Sequence, residues 1–232
     1  CYIMEYFYFL FLALEFVTGY FYVSRPGILK YKMAASVPFV LAGAYLVIVT
    51  GRFTPYALLI VAGLVSSFIG DWVLKYDLFG MKGLPGIVFF ALAHILYISA
   101  FAVRVPFTFS DLWLIVPWMV MLGLEILAKK KMKIDLGATA PAVLIYAMII
   151  DAMVILGIRA AVLTMNGGIS VLRSVVLIFG VIMFIISDAG VCLMMFDSRK
   201  DIKIVNRIFK LDPINIIMYN GGQMLIAASV LL

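Results

Sequence analysis

Two aspartates lie where an aspartate is costly, and they are the first residues that could do chemistry. Asp71 ends the stretch GLVSSFIGD and Asp188 ends the stretch GVIMFIISD, each near the end of a long apolar run. A carboxyl group inside a membrane span costs roughly 2.5–3.5 kcal/mol on insertion scales, and such groups are generally functional. Two carboxyl groups in different surroundings can divide the roles of proton donor and base. The structural alternative is that each aspartate braces a neighbouring helix through hydrogen bonds.

A second set of polar residues is expected at a similar depth, if each apolar run is a helix rising about 1.5 Å per residue. These candidates for holding water or a ligand are His94, Tyr97, Tyr146, Ser187, Tyr219 and Gln223. His94 is the only histidine, which excludes a three-histidine zinc hydrolase, and we predict neither a metal nor a cofactor. A Ser187–His94 pair is a weaker alternative, because the chain has no G-x-S-x-G nucleophile stretch.

The composition shows what must position these residues. Of the 232 residues, 66% are hydrophobic and only 13% are charged, and the mean hydropathy is +1.18. Soluble domains are about 45–50% apolar and about 25% charged. The chain is therefore predicted to be an integral multi-pass membrane protein. Its apolar runs of about 20 residues predict helices rather than the short alternating strands of a barrel.

Eight apolar runs predict eight transmembrane helices in one all-α domain covering residues 1–232. The predicted spans are 2–23, 31–50, 55–74, 84–103, 111–128, 137–163, 172–196 and 213–232. The connections between them are too short for a separate soluble domain, so any chemistry is expected in the membrane or at its edge. No oligomeric state follows from the sequence.

The basic residues predict how the helices are oriented. Fourteen of them follow the odd-numbered spans: Arg25, Lys30, Lys32, Lys75, Lys82, Lys129, Lys130, Lys131, Lys133, Arg199, Lys200, Lys203, Arg207 and Lys210. The other four, on the opposite side, are Arg52, Arg104, Arg159 and Arg173. Basic residues collect in cytoplasmic loops, so both termini are predicted to be non-cytoplasmic, in a cell (inner) membrane. A topology signal explains the net charge of +6, and no nucleic-acid partner is expected.

Similar stretches in the two halves predict an internal duplication of four helices each, about 1–107 and 108–232. Gly63 and Gly180 each precede an aspartate by eight residues. The stretches AHILYISA and GQMLIAAS place His94 opposite Gln223. Related halves of this kind occur in some transporters.

Three further acidic residues lie within the predicted spans. Glu125 lies near the cytoplasmic end of its span and is expected to reach towards the head groups. Asp151 lies deep in the sixth span, where a site role and a helix-pairing role are equally supported. Glu15 lies in the first span, where we expect it to pair with a base such as Arg25.

Several motifs, taken in order, resemble those of the YhhN family of eight-span membrane proteins. The motifs are Gly70-Asp71, then Gly86…Phe90…His94…Tyr97, then Ser187-Asp188, and finally Tyr219…Gln223. They extend over nearly the whole chain, and the match around the sixth span, which holds Tyr146, is looser.

The resemblance implies a lysoplasmalogenase, which cleaves the vinyl ether of a lysophospholipid to a fatty aldehyde and glycerophospho-ethanolamine or -choline. A vinyl ether is labile to acid, so Asp71 and Asp188 would be the acid and the water-orienting base in either order. The polar set named above would hold the water and the glycerol oxygens, and Lys75 or Lys82 would receive the phosphate. Lysophospholipid and membrane lipids are then the expected partners.

Two other classes of protein fit some of the same features. A proton-coupled transporter of small molecules or lipids also has repeated halves and acids near the membrane midplane. An intramembrane aspartyl protease also uses two aspartates on separate helices. However, its usual G-x-G-D is absent, because the sequence reads FIGD before Trp72.

Overall fold

A computed structural model describes residues 7–25, 28–78, 81–166, 171–196 and 211–231. Over these residues the chain is all-helical, as predicted, with eight helices in chain order. They are α1 Tyr8–Ser24, α2 Leu29–Thr50, α3 Pro55–Val73, α4 Leu84–Arg104, α5 Ile115–Met132, α6 Ala140–Asn166, α7 Val171–Phe196 and α8 Leu211–Ala228. Short 3₁₀ turns precede α5 and α6 and follow α8. Cys1, Glu5 and the basic residues between 199 and 210 lie outside the described residues.

Seven of the helices, α2 to α8, are long and apolar enough to cross a membrane. α1 is a shorter apolar helix of 17 residues in the described part of the chain. The prediction of a multi-pass membrane protein is thus confirmed by length and composition, and residues 2–6 of the predicted first span lie outside the described residues.

A small antiparallel ribbon between α3 and α4 was not predicted. Strands β1 (Asp77–Leu78) and β2 (Met81–Lys82) pair with Asp77 opposite Lys82. Gly83 follows with a φ of 78°, a left-handed conformation that suits glycine, and leads directly into α4. A ribbon this short leaves no trace in a hydropathy average over about 19 residues.

The helices pack mainly against their neighbours in the sequence, and the main contacts between helices that are not neighbours join α4 to α6 and α2 to α8. α3 packs on α4 and α7 on α8, while α6 lies against both α4 and α7, and α8 also contacts α2. The core between them is filled by large apolar and aromatic side chains such as Phe39, Leu64, Tyr97 and Phe184. α5 lies outside this core, because none of its residues is buried and it contacts mainly α6.

Arginines hold the helix ends on the side away from the two aspartates. Arg159 makes two hydrogen bonds to the carboxylate of Asp111, of 2.7 and 2.6 Å, and also donates to the carbonyl oxygen of Val105. Arg52 and Arg173 both donate to the carbonyl oxygen of Leu231, at 2.6 and 2.7 Å. These bonds satisfy backbone carbonyls that have no partner within a helix.

Glu15 does not pair with Arg25, so that expectation was wrong. Arg25 donates instead to the hydroxyl of Tyr31, at 2.6 Å, while Glu15 is buried in the bundle beside the amide of Asn220. The two residues are ten positions apart, which is about 15 Å along a helix, and that separation is too large for an ion pair.

Glycines bring neighbouring helices close together at equivalent positions before the two aspartates. A Cβ on Gly63 in α3 would lie 2.3 Å from Cε1 of Tyr97 in α4. A Cβ on Gly180 in α7 would lie 3.1 Å from the backbone nitrogen of Ile226 in α8. Small residues at such contacts allow membrane helices to pack closely.

We expect Gly63→Ala to destabilise the protein by about 1–3 kcal/mol, the usual cost of overpacking. The buried ring of Tyr97 has little freedom to move, because its hydroxyl is bound to Gln223. The measurement is thermal unfolding of the purified protein in detergent. Gly123→Ala in α5 is the matched control, since a Cβ there would meet nothing within 4 Å. Equal unfolding temperatures for the two variants would contradict the close contact.

Candidate functional site

Asp71 is held in an ion pair at the end of α3. Its Oδ1 lies 2.9 Å from Nζ of Lys32, and its Oδ2 accepts a hydrogen bond of 2.7 Å from Ser36. Lys32 and Ser36 are one turn apart at the start of α2, which runs antiparallel to α3 and therefore begins at the depth where α3 ends. The side chain of Asp71 is only 2% exposed and that of Lys32 is 19% exposed.

Asp188 belongs to a different cluster, formed by α4, α6 and α7. Its Oδ2 accepts a short hydrogen bond from the hydroxyl of Tyr146. Nε2 of His94 lies 2.9 Å from the same hydroxyl and 3.4 Å from Oδ2 of Asp188. Because Tyr146 donates to Asp188, its oxygen can accept a hydrogen bond from an Nε2–H of His94. Nδ1 of His94 has no hydrogen-bond partner in the described part of the chain.

One cavity of about 740 Å³ joins the two clusters. It lies at the end of the bundle where α2 begins and α3 ends, and its lining is mainly apolar. Its ionisable and polar lining residues are Lys32, Asp71, Glu125, Lys129, Tyr146, Ser187, Asp188, Cys192, Asn215 and Tyr219. The two aspartates predicted from the sequence therefore face the same space from separate helices.

Aromatic rings fill the region behind the two clusters. The ring of Phe184 lies 4.8 Å from that of His94 and 5.4 Å from that of Tyr219, measured between centroids. Phe90, which lines the cavity, packs edge-on against Tyr219 at 6.0 Å. This packing leaves His94 fully buried, so His94 reaches the cavity only through Tyr146 and Asp188.

Tyr97 and Gln223 are bound to each other beneath the cavity. The hydroxyl of Tyr97 donates to Oε1 of Gln223 at 2.7 Å, and both side chains are fully buried. Tyr219 lies between this pair and the cavity: its hydroxyl donates to the carbonyl oxygen of Ser67 at 3.4 Å and lies beside Asp71. Tyr97 and Gln223 thus pack behind Tyr219 and are not among the residues that line the cavity.

Ser187 lines the cavity, but its hydroxyl donates to Oδ1 of Asn215 at 3.2 Å. The imidazole Nε2 of His94 is occupied by Tyr146 and Asp188. The alternative of a Ser187–His94 pair has no support from these contacts.

Of the two lysines predicted to bind the phosphate, the structure describes the side chain of one. Lys75 is exposed, its ammonium lies 4.8 Å from the ring centroid of Tyr76, and it is not among the residues that line the cavity. The side chain of Lys82 lies outside the described part of the structure. The lysines that do line the cavity are Lys32 and Lys129, and neither was predicted from the sequence to bind the phosphate.

Lys32 could have been found from the sequence by comparing depths. It lies near the start of the second predicted span, and Asp71 lies near the end of the third. Adjacent antiparallel spans bring such positions to the same level, where a lysine is the simplest partner for a buried carboxylate. No such comparison identifies Asn215. Its contact with Ser187 depends on how α7 is rotated about its own axis, and the sequence does not define that rotation.

The remaining acidic residues occupy two different positions. Glu125 lines the cavity, whereas Asp151 is fully buried and neither of its oxygens has a hydrogen-bond partner in the structure as described. Among the residues that the structure describes, no group of three or more His, Cys, Asp and Glu is arranged to hold a metal ion.

Comparison with known proteins gives one match. Residues 31–230 match the model of the YhhN family, which includes the whole of the cavity lining. No curated protein and no solved structure matches the chain.

Proposed function

Because the chain belongs to the YhhN family, which includes lysoplasmalogenases, we propose that it hydrolyses the vinyl ether bond of lysoplasmalogens. The observation that carries the proposal is that Asp71 and Asp188, on separate helices, line one mainly apolar cavity. An apolar cavity with a few polar groups suits a single-chain lipid, whose tail needs an apolar wall and whose ether needs polar groups.

The reaction needs a proton donor, a nearby negative charge and a water molecule. A proton adds to the vinyl carbon that is beta to the ether oxygen, and the carbon attached to that oxygen becomes an oxocarbenium-like centre. Water adds to this centre and loses a proton to the carboxylate that the proton donor has become. The resulting hemiacetal collapses to a fatty aldehyde and a free glycerol hydroxyl, so that one water is consumed and the donor is protonated again.

The geometry favours Asp188 as the proton donor. A donor must reach the substrate carbon, and the side chain of Asp188 is 13% exposed while that of Asp71 is 2% exposed. Asp188 also has no lysine or arginine partner among the described residues, and its Oδ2 is held by Tyr146. Tyr146 and His94 would then orient Asp188 and pass protons to it.

Asp71 is suited to the second role, that of a fixed negative charge. The ammonium of Lys32 balances its charge in the ground state, and Ser36 fixes the orientation of its carboxylate. Together with Tyr219 it would hold the attacking water and stabilise the cation that forms. Electrostatic stabilisation of this kind acts strongly in a site with little water.

The distribution of the basic residues favours a cytoplasmic position for this chemistry. Lys32, Lys75 and the run Lys129–Lys131 all lie at the end of the bundle that holds the cavity, as the positive-inside rule expects of the cytoplasmic side. The cavity would thus open where a lysophospholipid of the inner leaflet has its glycerol backbone.

The direct test is an assay of the purified protein in detergent with matched lysophospholipids. We expect fatty aldehyde from the 1-alkenyl substrate and none from the 1-alkyl ether, which has no double bond to protonate. An absence of aldehyde from correctly folded protein would overturn the proposal. The buried carboxyl of Asp151, which has no hydrogen-bond partner among the described residues, favours proton-coupled transport as the second candidate, and transport alone would release no aldehyde.

A further inference from the structure

The wall that α5 contributes to the cavity carries two opposite charges that the proposed chemistry does not use. Glu125 and Lys129 both line the cavity, and their spacing of four residues places them on one face of the helix. The ion pairs found among the described residues join other groups. A carboxylate and an ammonium group therefore face the same space without a direct bond between them.

These charges lie near the proposed proton donor. Cys192 is one turn beyond Asp188 on α7, and it lies within electrostatic range of Asp188, Glu125 and Lys129. A lysolipid whose vinyl ether reached Asp188 would have its head group only a few bonds away. The pair on α5 is thus in reach of the head group when the ether is at the carboxyl.

We propose, on the premise of the function proposed above, that Glu125 and Lys129 form a head-group subsite that selects lysolipids carrying phosphoethanolamine. Lys129 binds the phosphate and Glu125 binds the terminal ammonium, so that each charge of the zwitterion meets its opposite. A phosphoglycerol head group has no cation for Glu125, because its terminal glycerol is neutral.

The chemistry of the wall also favours ethanolamine over choline. A primary ammonium donates hydrogen bonds to a carboxylate, whereas a quaternary ammonium cannot and is typically held by aromatic rings. The aromatic residues that line the cavity, Phe90, Tyr146 and Tyr219, belong to α4, α6 and α8. Around Glu125 the lining from α5 is aliphatic, with Leu122 and Ile126.

The test measures binding with 1-alkyl ether lysolipids, which the proposed reaction does not cleave. Head groups of ethanolamine, choline and glycerol phosphate are compared as competitors of a fluorescent lysolipid, on wild type, Glu125→Gln, Lys129→Gln and the control Lys130→Gln. Lys130 is exposed on the same helix and does not line the cavity. Unfolding temperatures in detergent show whether each variant is folded.

Wild type and Lys130→Gln are expected to bind the ethanolamine lysolipid about tenfold more tightly than the glycerol one, a gap typical of one charge-assisted contact. Glu125→Gln should remove that gap by weakening only the ethanolamine lipid, and Lys129→Gln should weaken all three. Free phosphoethanolamine should compete far more weakly, because it has no tail for the apolar wall.

The outcome separates this inference from the proposed function. Equal affinities for the three head groups on wild type, or an unchanged gap in Glu125→Gln, would overturn the subsite even if vinyl ethers are cleaved. Selective binding without aldehyde release from the 1-alkenyl lipid would support the subsite and overturn the hydrolase.

Discussion

Asp188→Asn is expected to lower kcat for vinyl ether cleavage by about 10²–10⁴-fold, the usual contribution of a general acid. The asparagine has the same shape, and its carbonyl oxygen can still accept the hydrogen bond from Tyr146 that Asp188 accepts. It has no acidic proton to give to the vinyl carbon. The unfolding temperature should therefore stay close to that of wild type while turnover is lost.

Aldehyde release under saturating substrate is the measurement, and Asp135→Asn is the matched control. Asp135 is an exposed aspartate at the same end of the bundle, where it accepts a hydrogen bond from the backbone of Gly137, and it does not line the cavity. Asp188→Asn retaining even half of the wild-type turnover would remove Asp188 from the role of proton donor.

Lys32→Met is expected to lower both stability and turnover. The substitution leaves the carboxylate of Asp71, which is 2% exposed, with Ser36 as its remaining bonded partner. Breaking a buried ion pair by removing one partner typically costs 3–5 kcal/mol, and the partial exposure of Lys32 lowers the expected loss to about 2–3 kcal/mol. Lys32→Arg keeps the charge and should retain much of both properties.

A double variant separates the two effects of Lys32. Lys32→Met with Asp71→Asn contains no unpaired charge, so its unfolding temperature should recover towards wild type, while turnover stays low because the negative charge at Asp71 is gone. Lys30→Met is the control, since Lys30 is an exposed lysine on the same helix. Recovered turnover in the double variant would show that Asp71 serves only to pair with Lys32.

The number and bounds of the helices follow from the sequence because a span must be apolar over its whole length. The third and fourth predicted spans end within a residue of α3 and α4. Their starts carry local signals as well: Thr54 caps α3 just before Pro55, accepting from the backbone of Ala57 at 3.2 Å. The peripheral position of α5 could not be predicted, since the span that contains it has the same mean hydropathy as α3, a helix of the core.

The two aspartates could be predicted as a site because their cost in the membrane is independent of how the helices pack. Their surroundings could not, because hydropathy contains no information on the rotation of a helix about its axis. His94 and Tyr97 share a helix face, yet one binds Tyr146 and the other binds Gln223. The coordinates pair Asp71 with Lys32 and, among the described residues, give Asp188 no lysine partner.

The internal duplication stays a prediction, and one pair of contacts supports it. Gly63 meets Tyr97, three residues after His94, and Gly180 meets Ile226, three residues after Gln223. Gly63 and Gly180 occupy matched positions in the two halves, and so do the residues that they contact, Tyr97 and Ile226.

The placement of the cavity at one end of the bundle, beside the unburied helix α5, bears on how a catalytic cycle would finish. Cleavage splits an amphiphile into a long-chain aldehyde, which partitions into the bilayer, and a glycerophospho-alcohol, which partitions into water. From a chamber at the membrane edge each fragment can leave by diffusing into the phase that dissolves it. Turnover would then require no energy source and no dedicated exit channel.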